Sequence, residues 1–509
     1  MNKKIKDECM KIKTLDELMR LFSDREQGGE KIVLCHGVFD VLHVGHIKHF
    51  RVAKAHGDVL IVSVTSDKYV DKGEGRPIFD QNLRAETISA LELVDCVYIN
   101  DFPTASELIR KVKPNFYVKG IEYKNSNSRN FLEEEEVALF GGCKIVYTAD
   151  ETYSSTNIVN KNRLPSGTFD FIQKFKKKYA VAKVQNYFDE IKNLKVLVIG
   201  EVIIDSFCFG EHLGKMRRES LMEFGINGTI NQVGGSGAIA NHIANFAKEV
   251  TLFTMVGDYN SKKDFIEREL NKNIERIFFV KKKSPTPSKT RYIEKHVNHR
   301  NVFKTSEMND NQIGYETSSM MMSKLIKILP EFDMVVVSDF GHGMIDKRLI
   351  NYLSAFNIFL AVSTQLNTEN QGFNTIDKYP RVDYGCINES ELRILMKDKY
   401  ASVPLLINRL RKQNYIDTLS VTRGFRGGIV ESRREGLFEN PPFSVDALDT
   451  IGAGDAFFAI TSLLAKKNMP IDMLLFVGNA MGALQIKQLG NDNSIKRKDL
   501  EQYLGNLLK

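Results

Sequence analysis

Two short stretches of this chain hold side chains whose types and spacing could do chemistry. In GVFDVLHVGHIKHF, His43 and His46 stand three apart around Gly45, where an apolar run passes into a helical one. That spacing puts both imidazoles on one face of a first helical turn. Unsatisfied backbone N–H groups and the positive end of the helix dipole lie at the same place, so a polyphosphate could rest on the backbone while the imidazoles donate to it. Gly45 would let the phosphates approach closely. A metal site would need further ligands at matching spacing, and this stretch shows none. In DTIGAGDAFFA, Gly452 and Gly454 precede an apolar, helix-compatible run, a pattern that aims backbone N–H groups at one spot. Asp455, at the mouth of that loop, is placed to take a proton from a substrate hydroxyl attacking a γ-phosphate. There is no GxxxxGK[ST] loop, so a Walker-type kinase is not indicated.

The elements that must position these residues read as α/β throughout. From Lys31, IVLCHGVFDVL, then a helical stretch, then VLIVSVTSD, alternate as strands and helices do around a parallel sheet. A second series opens at KVLVIGEVIID and runs through MVVVSDF, IFLAVST and DTLSVTRG. Two sheets and two sites follow. The spacing predicts an N-terminal helical extension over 1–28, a first domain over 29–163, a basic helical linker over 164–193 and a second domain over 194–509. Within that linker, Ile172 to Lys195 carries seven lysines against two acidic residues, with Phe175, Tyr179, Ala182 and Val184 at helical spacing, which reads as an amphipathic connector.

Composition narrows the function classes. The chain has 509 residues, more than one core accommodates, and Lys+Arg 71 against Asp+Glu 64 gives a net charge of only +7. No field strong enough to imply nucleic acid or a membrane surface follows, while small anionic substrates are tolerated. No run of 18 apolar residues appears and the start MNKKIKDECMKIK lacks a signal region, so a cytoplasmic protein is expected. Its six cysteines stand apart with no CxxC, which suggests free thiols in a reducing compartment.

GVFDVLHVGH, Lys54, GRPIFDQNLR ending at Arg84, YVKGIEYK and YSSTNIV resemble, in order and spacing, the cytidylyltransferase-like nucleotidyltransferases. The resemblance implies that His43 and His46 stabilise the charge on the α-phosphorus in the transition state. It implies that Lys54 and Arg84 neutralise phosphates, that Ser154, Ser155 and Thr156 donate hydrogen bonds, and that Gly37, Phe39, Gly45 and Lys119 line the nucleotide. VIGEVIID, GGSGAIAN, VVVSDFGHGM, INESE, VTRGFRGGIV and DTIGAGD resemble the ribokinase-like sugar kinases. Here the resemblance implies Asp455 as catalytic base, the backbone of Gly452, Ala453 and Gly454 as anion hole beside Thr450, and Asn388 and Glu391 as organisers of Mg2+ through water. Thr422 and Gly424 fall on the nucleotide side, and Asp205, Gly234 and Gly235 on the sugar side. The fold class expected is therefore α/β with two doubly wound parallel-sheet domains, a Rossmann-like nucleotidyltransferase and then a ribokinase-like kinase.

Together the two modules are similar to the bifunctional heptose 7-phosphate kinase and heptose 1-phosphate adenylyltransferase family, with the domain order reversed. That resemblance implies ATP-dependent phosphorylation at C1 followed by AMP transfer to the sugar 1-phosphate with release of pyrophosphate, for lipopolysaccharide or a related glycan. The partners expected are a sugar phosphate and a nucleoside triphosphate, ATP or CTP at the first site, with no nucleic acid or membrane, in a chain that forms a homodimer if the resemblance extends that far. The sugar side departs from the family. Ala238 stands where a sugar-contacting Asn is usual, Glu201 and Ser206 flank Asp205 in place of Asp and Arg, and STQLNTENQ replaces an Asp-Pro-Lys turn. Ala cannot replace an Asn's hydrogen bonds, which leaves open an alternative: a cytidylyltransferase for a sugar or polyol phosphate carrying a non-catalytic or differently specific kinase-like module.

Overall fold

The runs IVLC and VLIVSVT show no polar alternation, as a strand covered on both faces requires. The computed structural model describes residues 11–25, 29–70, 76–124, 128–148, 165, 167–215, 222–294, 300–366, 370 and 372–508. It divides into two units, Met1–Arg163 and Leu164–Lys509.

In the first unit β1 (Ile32–Gly37), β2 (Val59–Thr65), β3 (Cys96–Asn100), β4 (Phe116–Gly120) and β5 (Lys144–Thr148) form a parallel sheet in the order β3-β2-β1-β4-β5. Helices α1 (Leu15–Arg25), α2 (Val44–Lys54), α3 (Gln81–Ser89) and α4 (Arg129–Phe140) belong to the same unit. Successive residues of β1 serve opposite faces. Ile32 and Leu34 join Leu18 of α1 in one core, and Val33 and Cys35 join Phe50 of α2 and Ala85 of α3 in the other. The N-terminal helix is thus part of this domain's core, with Leu18 fully buried. Strand order reverses at β1, and the HVGH segment follows β1 at the carboxyl edge, where open α/β sheets bind ligands.

The second unit begins earlier than the linker reading places it. Helices α5 (Thr168–Lys178) and α6 (Val181–Ile191) bury Ile172, Phe175, Tyr179, Val184, Phe188 and Ile191 in its core, and Phe175 stacks on Phe476 with ring centroids 3.9 Å apart. The lysines that dominate the composition face water, but the apolar stripe decides the packing.

Beyond these helices come β6 (Lys195–Gly200), β7 (Val202–Lys215), β8 (Met222–Gly235), helix α7 (Ser236–Ala244), β9 (Glu249–Tyr259), β10 (Ile274–Pro285), β11 (Ser288–Glu294) and β12 (Arg300–Glu307). They are followed by β13 (Met334–Asp339), β14 (Phe359–Thr364), β15 (Arg381–Asn388), α8 (Glu389–Leu395), β16 (Tyr415–Thr422), β17 (Gly428–Ser432), β18 (Gly436–Asn440), α9 (Ala453–Lys466) and α10 (Ile471–Gln485). The main sheet runs β10-β9-β6-β13-β14-β15-β16-β17-β18, parallel as far as β16 and antiparallel beyond it. In β13, Met334 and Val336 face one core while Val335 and Val337 face the other. A separate four-stranded sheet, β12-β11-β7-β8, supplies the second layer of the site. The described cysteines, Cys35, Cys96, Cys143, Cys208 and Cys386, are buried free thiols. Among the described residues no helix is long and apolar enough to cross a membrane.

Candidate functional sites

In the first unit His43 is the N-cap of α2, and its Nδ1 accepts from Gly45 N–H at 3.1 Å. An accepting Nδ1 places the neutral ring's proton on Nε2, the nitrogen able to donate to an anion. The His43 and His46 rings stack at 3.9 Å between centroids, so both imidazoles do present one surface. Phe39 turns the chain with φ 47°, in the left-handed region, and sets its ring edge-on to His46 at 5.4 Å. Gly37 accommodates that ring, which would stand 3.1 Å from a Cβ there. Asp40, which the sequence reading passed over, is almost fully buried and accepts from Ile78 N–H at 2.7 Å, Phe79 N–H at 3.1 Å and Arg76 Nε. It ties the GRP segment to the loop after β1.

Three cations assigned by resemblance to the phosphates or the nucleotide have partners within the protein. Arg84 is turned inward, with its guanidinium donating to the carbonyls of Phe79, Val38 and Thr65 and to Asp67. A fully buried guanidinium with these acceptors holds the loop together. Lys54 ends α2, about 12 Å along the axis from His46, and pairs with Asp95 at 2.5 Å. Lys119 is buried against Glu134 at 2.9 Å, over the rings of Tyr117 and Tyr123. Glu134 also accepts from Tyr117 OH at 2.8 Å and Ala105 N–H at 2.8 Å. Burial and, next, the charge of Lys119 hold His36 and His49 down at about 4, so both are neutral near pH 7. Ser154, Ser155 and Thr156 lie outside the described residues.

In the second unit a cleft of about 480 Å³ opens between the carboxyl edge of the main sheet and the four-stranded sheet. Its lining gathers Asp205, Gly235, Asn388, Glu391, Thr422, Gly424, Thr450, Gly452, Ala453, Gly454 and Asp455. Gly452 caps α9 with φ 75°, and a Cβ there would stand 2.2 Å from Asn491 Oδ1. Both the conformation and the close approach require glycine. Asp455 follows in the first turn and accepts from Gln365 Nε2 at 2.9 Å. Burial above all, with the like charge of Asp205, lifts Asp455 to about 7, against the pull of Lys289 and Gln365. A carboxylate poised near neutrality can accept a hydroxyl proton.

Asn388 and Glu391 form a capping box at the start of α8. Asn388 Oδ1 accepts from Glu391 N–H at 2.9 Å, and Glu391 Oε2 accepts from Asn388 N–H at 2.7 Å. Glu391 also accepts from Leu366 N–H at 3.1 Å, and burial raises it to about 7. Among the described residues no group of three or more His, Cys, Asp or Glu could hold a metal directly. Glu391, raised by burial, suits a hydrated divalent cation, which would restore its charged form.

On the sugar side Gly234 passes so close to Asp205 that a Cβ would meet Oδ2 at 2.1 Å. Arg291 Nη1 donates to Asp205 Oδ1 at 3.1 Å. Lys289 pairs in register with Asp205, and Lys289 and Arg291, two apart on β11, both face the cleft. These two cations escaped the sequence reading, and the signal was the alternation in SKTRYIE. Ala238 is buried in α7. Glu201, wholly buried, accepts from the backbone N–H groups of Phe340, His342 and Met344, so it anchors the loop that brings Phe340 to the cleft wall.

Two α/β units, each with an anion-ready helix start at the carboxyl edge of its sheet, define a transferase of phosphorus-containing groups. Residues 193–498 match the pfkB family of carbohydrate kinases, and the chain belongs to that family. Residues 34–208 match the cytidylyltransferase-like family. Among curated proteins, the bifunctional protein HldE of Geobacter metallireducens is 39% identical over 157 residues, 30% of this chain and 31% of its own length. HldE of Nitratiruptor is 46% identical over 115 residues, 22% of this chain and 25% of its own length. The chain thus spans about a third or less of the curated relatives it matches. Escherichia coli phosphofructokinase-2 in complex with potassium shares the fold, at a TM-score of 0.51 and 13% identity over 62% of this chain and 100% of its own. A point mutant of the same enzyme gives 0.50 and 14% over the same shares.

Proposed function

We propose that this chain makes a nucleotide-activated sugar in two steps, the C-terminal unit phosphorylating a sugar phosphate of the heptose 7-phosphate type at C1 and the N-terminal unit transferring AMP onto the new phosphate. The observation that carries the kinase step is Asp455. It stands in one cleft with the amides of a helix start on one side and Lys289 and Arg291 on the other. A substrate hydroxyl oxygen would attack the γ-phosphorus, the bond to the bridging oxygen would break, ADP would leave and the hydroxyl proton would pass to Asp455. Gly452, Ala453 and Gly454 would receive the transferring phosphoryl group on their N–H groups, with Thr422, Gly424 and Thr450 on the nucleotide's side of the same cleft. Asn388 and Glu391 would hold Mg2+ through water, which when bound supplies charge neutralisation between the phosphates. Lys289 and Arg291 fit an acceptor that is itself anionic.

In the N-terminal unit the sugar 1-phosphate oxygen would attack the α-phosphorus and pyrophosphate would leave. The attacking phosphate is already ionised, so no base is needed. His43 and His46 would donate to the oxygens where negative charge grows. The test is pyrophosphate release with ATP or CTP from heptose 1-phosphate, beside ADP formation from heptose 7-phosphate and ATP. Release with ATP, reached from both starting sugars, is the expected result. Release with CTP alone would move the first site to a cytidylyltransferase. Absence of ADP with every sugar phosphate would move the second unit to a binding role.

A further inference from the structure

Gln365 follows β14 at the cleft floor, and its backbone is fixed from several directions. Its N–H donates to Asp339 O at 2.9 Å, and its carbonyl accepts from Asn370 Nδ2 at 3.1 Å and Asn374 Nδ2 at 3.2 Å. From that anchored position its Nε2 reaches Asp455 Oδ1 at 2.9 Å. We propose that Gln365 is a positioning residue that aims the Asp455 carboxylate into the cleft and holds it there by a hydrogen bond to Oδ1. The inference rests on the reading of Asp455 as base.

The groups that face Asp455 come from several elements. Asp205 on β7 and Glu391 on α8 favour its protonated form by like charge, and Lys289 on β11 opposes them. Arg291, also on β11, is taken up by Asp205, and Cys386 on β15 stands close enough to feel Asp455's charge. Among these influences Gln365 adds a hydrogen bond that favours the ionised form without adding a charge. The choice of side chain matters. A carboxylate at this position would add a further like charge beside Asp455 in a cleft that already holds Asp205 and Glu391. An amide keeps the base near neutrality while fixing which oxygen points toward the substrate.

The test compares the full chain with its Q365M and Q365E variants. Methionine conserves length and removes the donor, and glutamate conserves shape and reverses the interaction. Proteins labelled with carboxyl-13C aspartate are titrated by NMR, the Asp455 resonance being the one missing from D455N. The midpoint is expected to rise by about one pH unit in Q365M and at least as far in Q365E. The acid limb of kcat/KM for ADP formation should move with it. An unchanged midpoint in both variants, with native melting temperatures, overturns the inference even if their rates fall. If the wild-type chain makes no ADP from any sugar phosphate, the kinase reading fails, while the carboxyl titration still decides what Gln365 does.

Discussion

Replacing Asp455 by Asn should sharply slow phosphoryl transfer and, at the same time, make the folded protein more stable above neutral pH. The reason is the environment that raises Asp455 from 3.8 to about 7, burial first and the charge of Asp205 next. Between those two values the folded chain keeps a proton that the unfolded chain has released. Stability therefore falls as pH rises across that window, and the full penalty is present above about 7. A difference of roughly three units corresponds to about 4 kcal/mol if nothing relaxed. The cleft is open to water, which screens the charge, so about 1–2 kcal/mol should be recovered by the neutral amide. That is a rise of about 1–3 °C in melting temperature. Calorimetry of both proteins without nucleotide, from pH 5 to 9, is the assay. The advantage of D455N should be small at pH 5, grow towards pH 7 and stay level beyond it, while ADP formation falls about 10²–10⁴-fold. Equal melting at pH 8, or an advantage that is larger at pH 5, would refute the account of the site's electrostatics.

Three further outcomes are expected. His46→Ala should lower pyrophosphate release about 10²-fold or more by removing a donor from the developing charge, with ADP formation unchanged in the same preparation. Arg84→Met should destabilise the N-terminal unit by about 3–5 kcal/mol, because Asp67 and the carbonyls of Phe79, Val38 and Thr65 lose their shared partner; denaturant unfolding of that unit measures it. Gly452→Ala forces a side chain into positive φ and onto Asn491 Oδ1, a strain of about 1–3 kcal/mol. Steady-state kinetics should show kcat/KM for ADP formation falling about tenfold or more.

The fold was legible because parallel strands leave a strong mark. Runs such as VLIVSVT and MVVVSD are buried throughout, and no other context tolerates them so well. The helix starts were legible too, since HVGH and GAGD combine small residues with polar ones at the position where a strand hands over to a helix. What could not be read was the destination of long charged side chains. Arg84 meets Asp67 and Lys119 meets Glu134, partners 17 and 15 residues away that only the folded sheet brings into reach. Lys289 and Arg291 face the cleft because β11 lies beside β7 in one particular register. The segment around the lysines of 174–178 read as an amphipathic connector between domains, and only the fold shows that its stripe of Ile172, Phe175 and Tyr179 belongs to the second unit's core.

The division of the kinase-unit cleft between two sheets carries a consequence for how such a site can change. Asp455, Asn388 and Glu391 sit at the edge of the nine-stranded layer, and Asp205, Lys289 and Arg291 sit on the four-stranded one. Mutations that accumulate in the smaller layer can redraw which acceptor is welcomed without disturbing the group that receives its proton. Ser206, beside Asp205 on β7, is what drift confined to that wall would leave behind. A designer seeking a new acceptor for this scaffold would therefore randomise β7, β8 and β11 and leave the glycine loop alone.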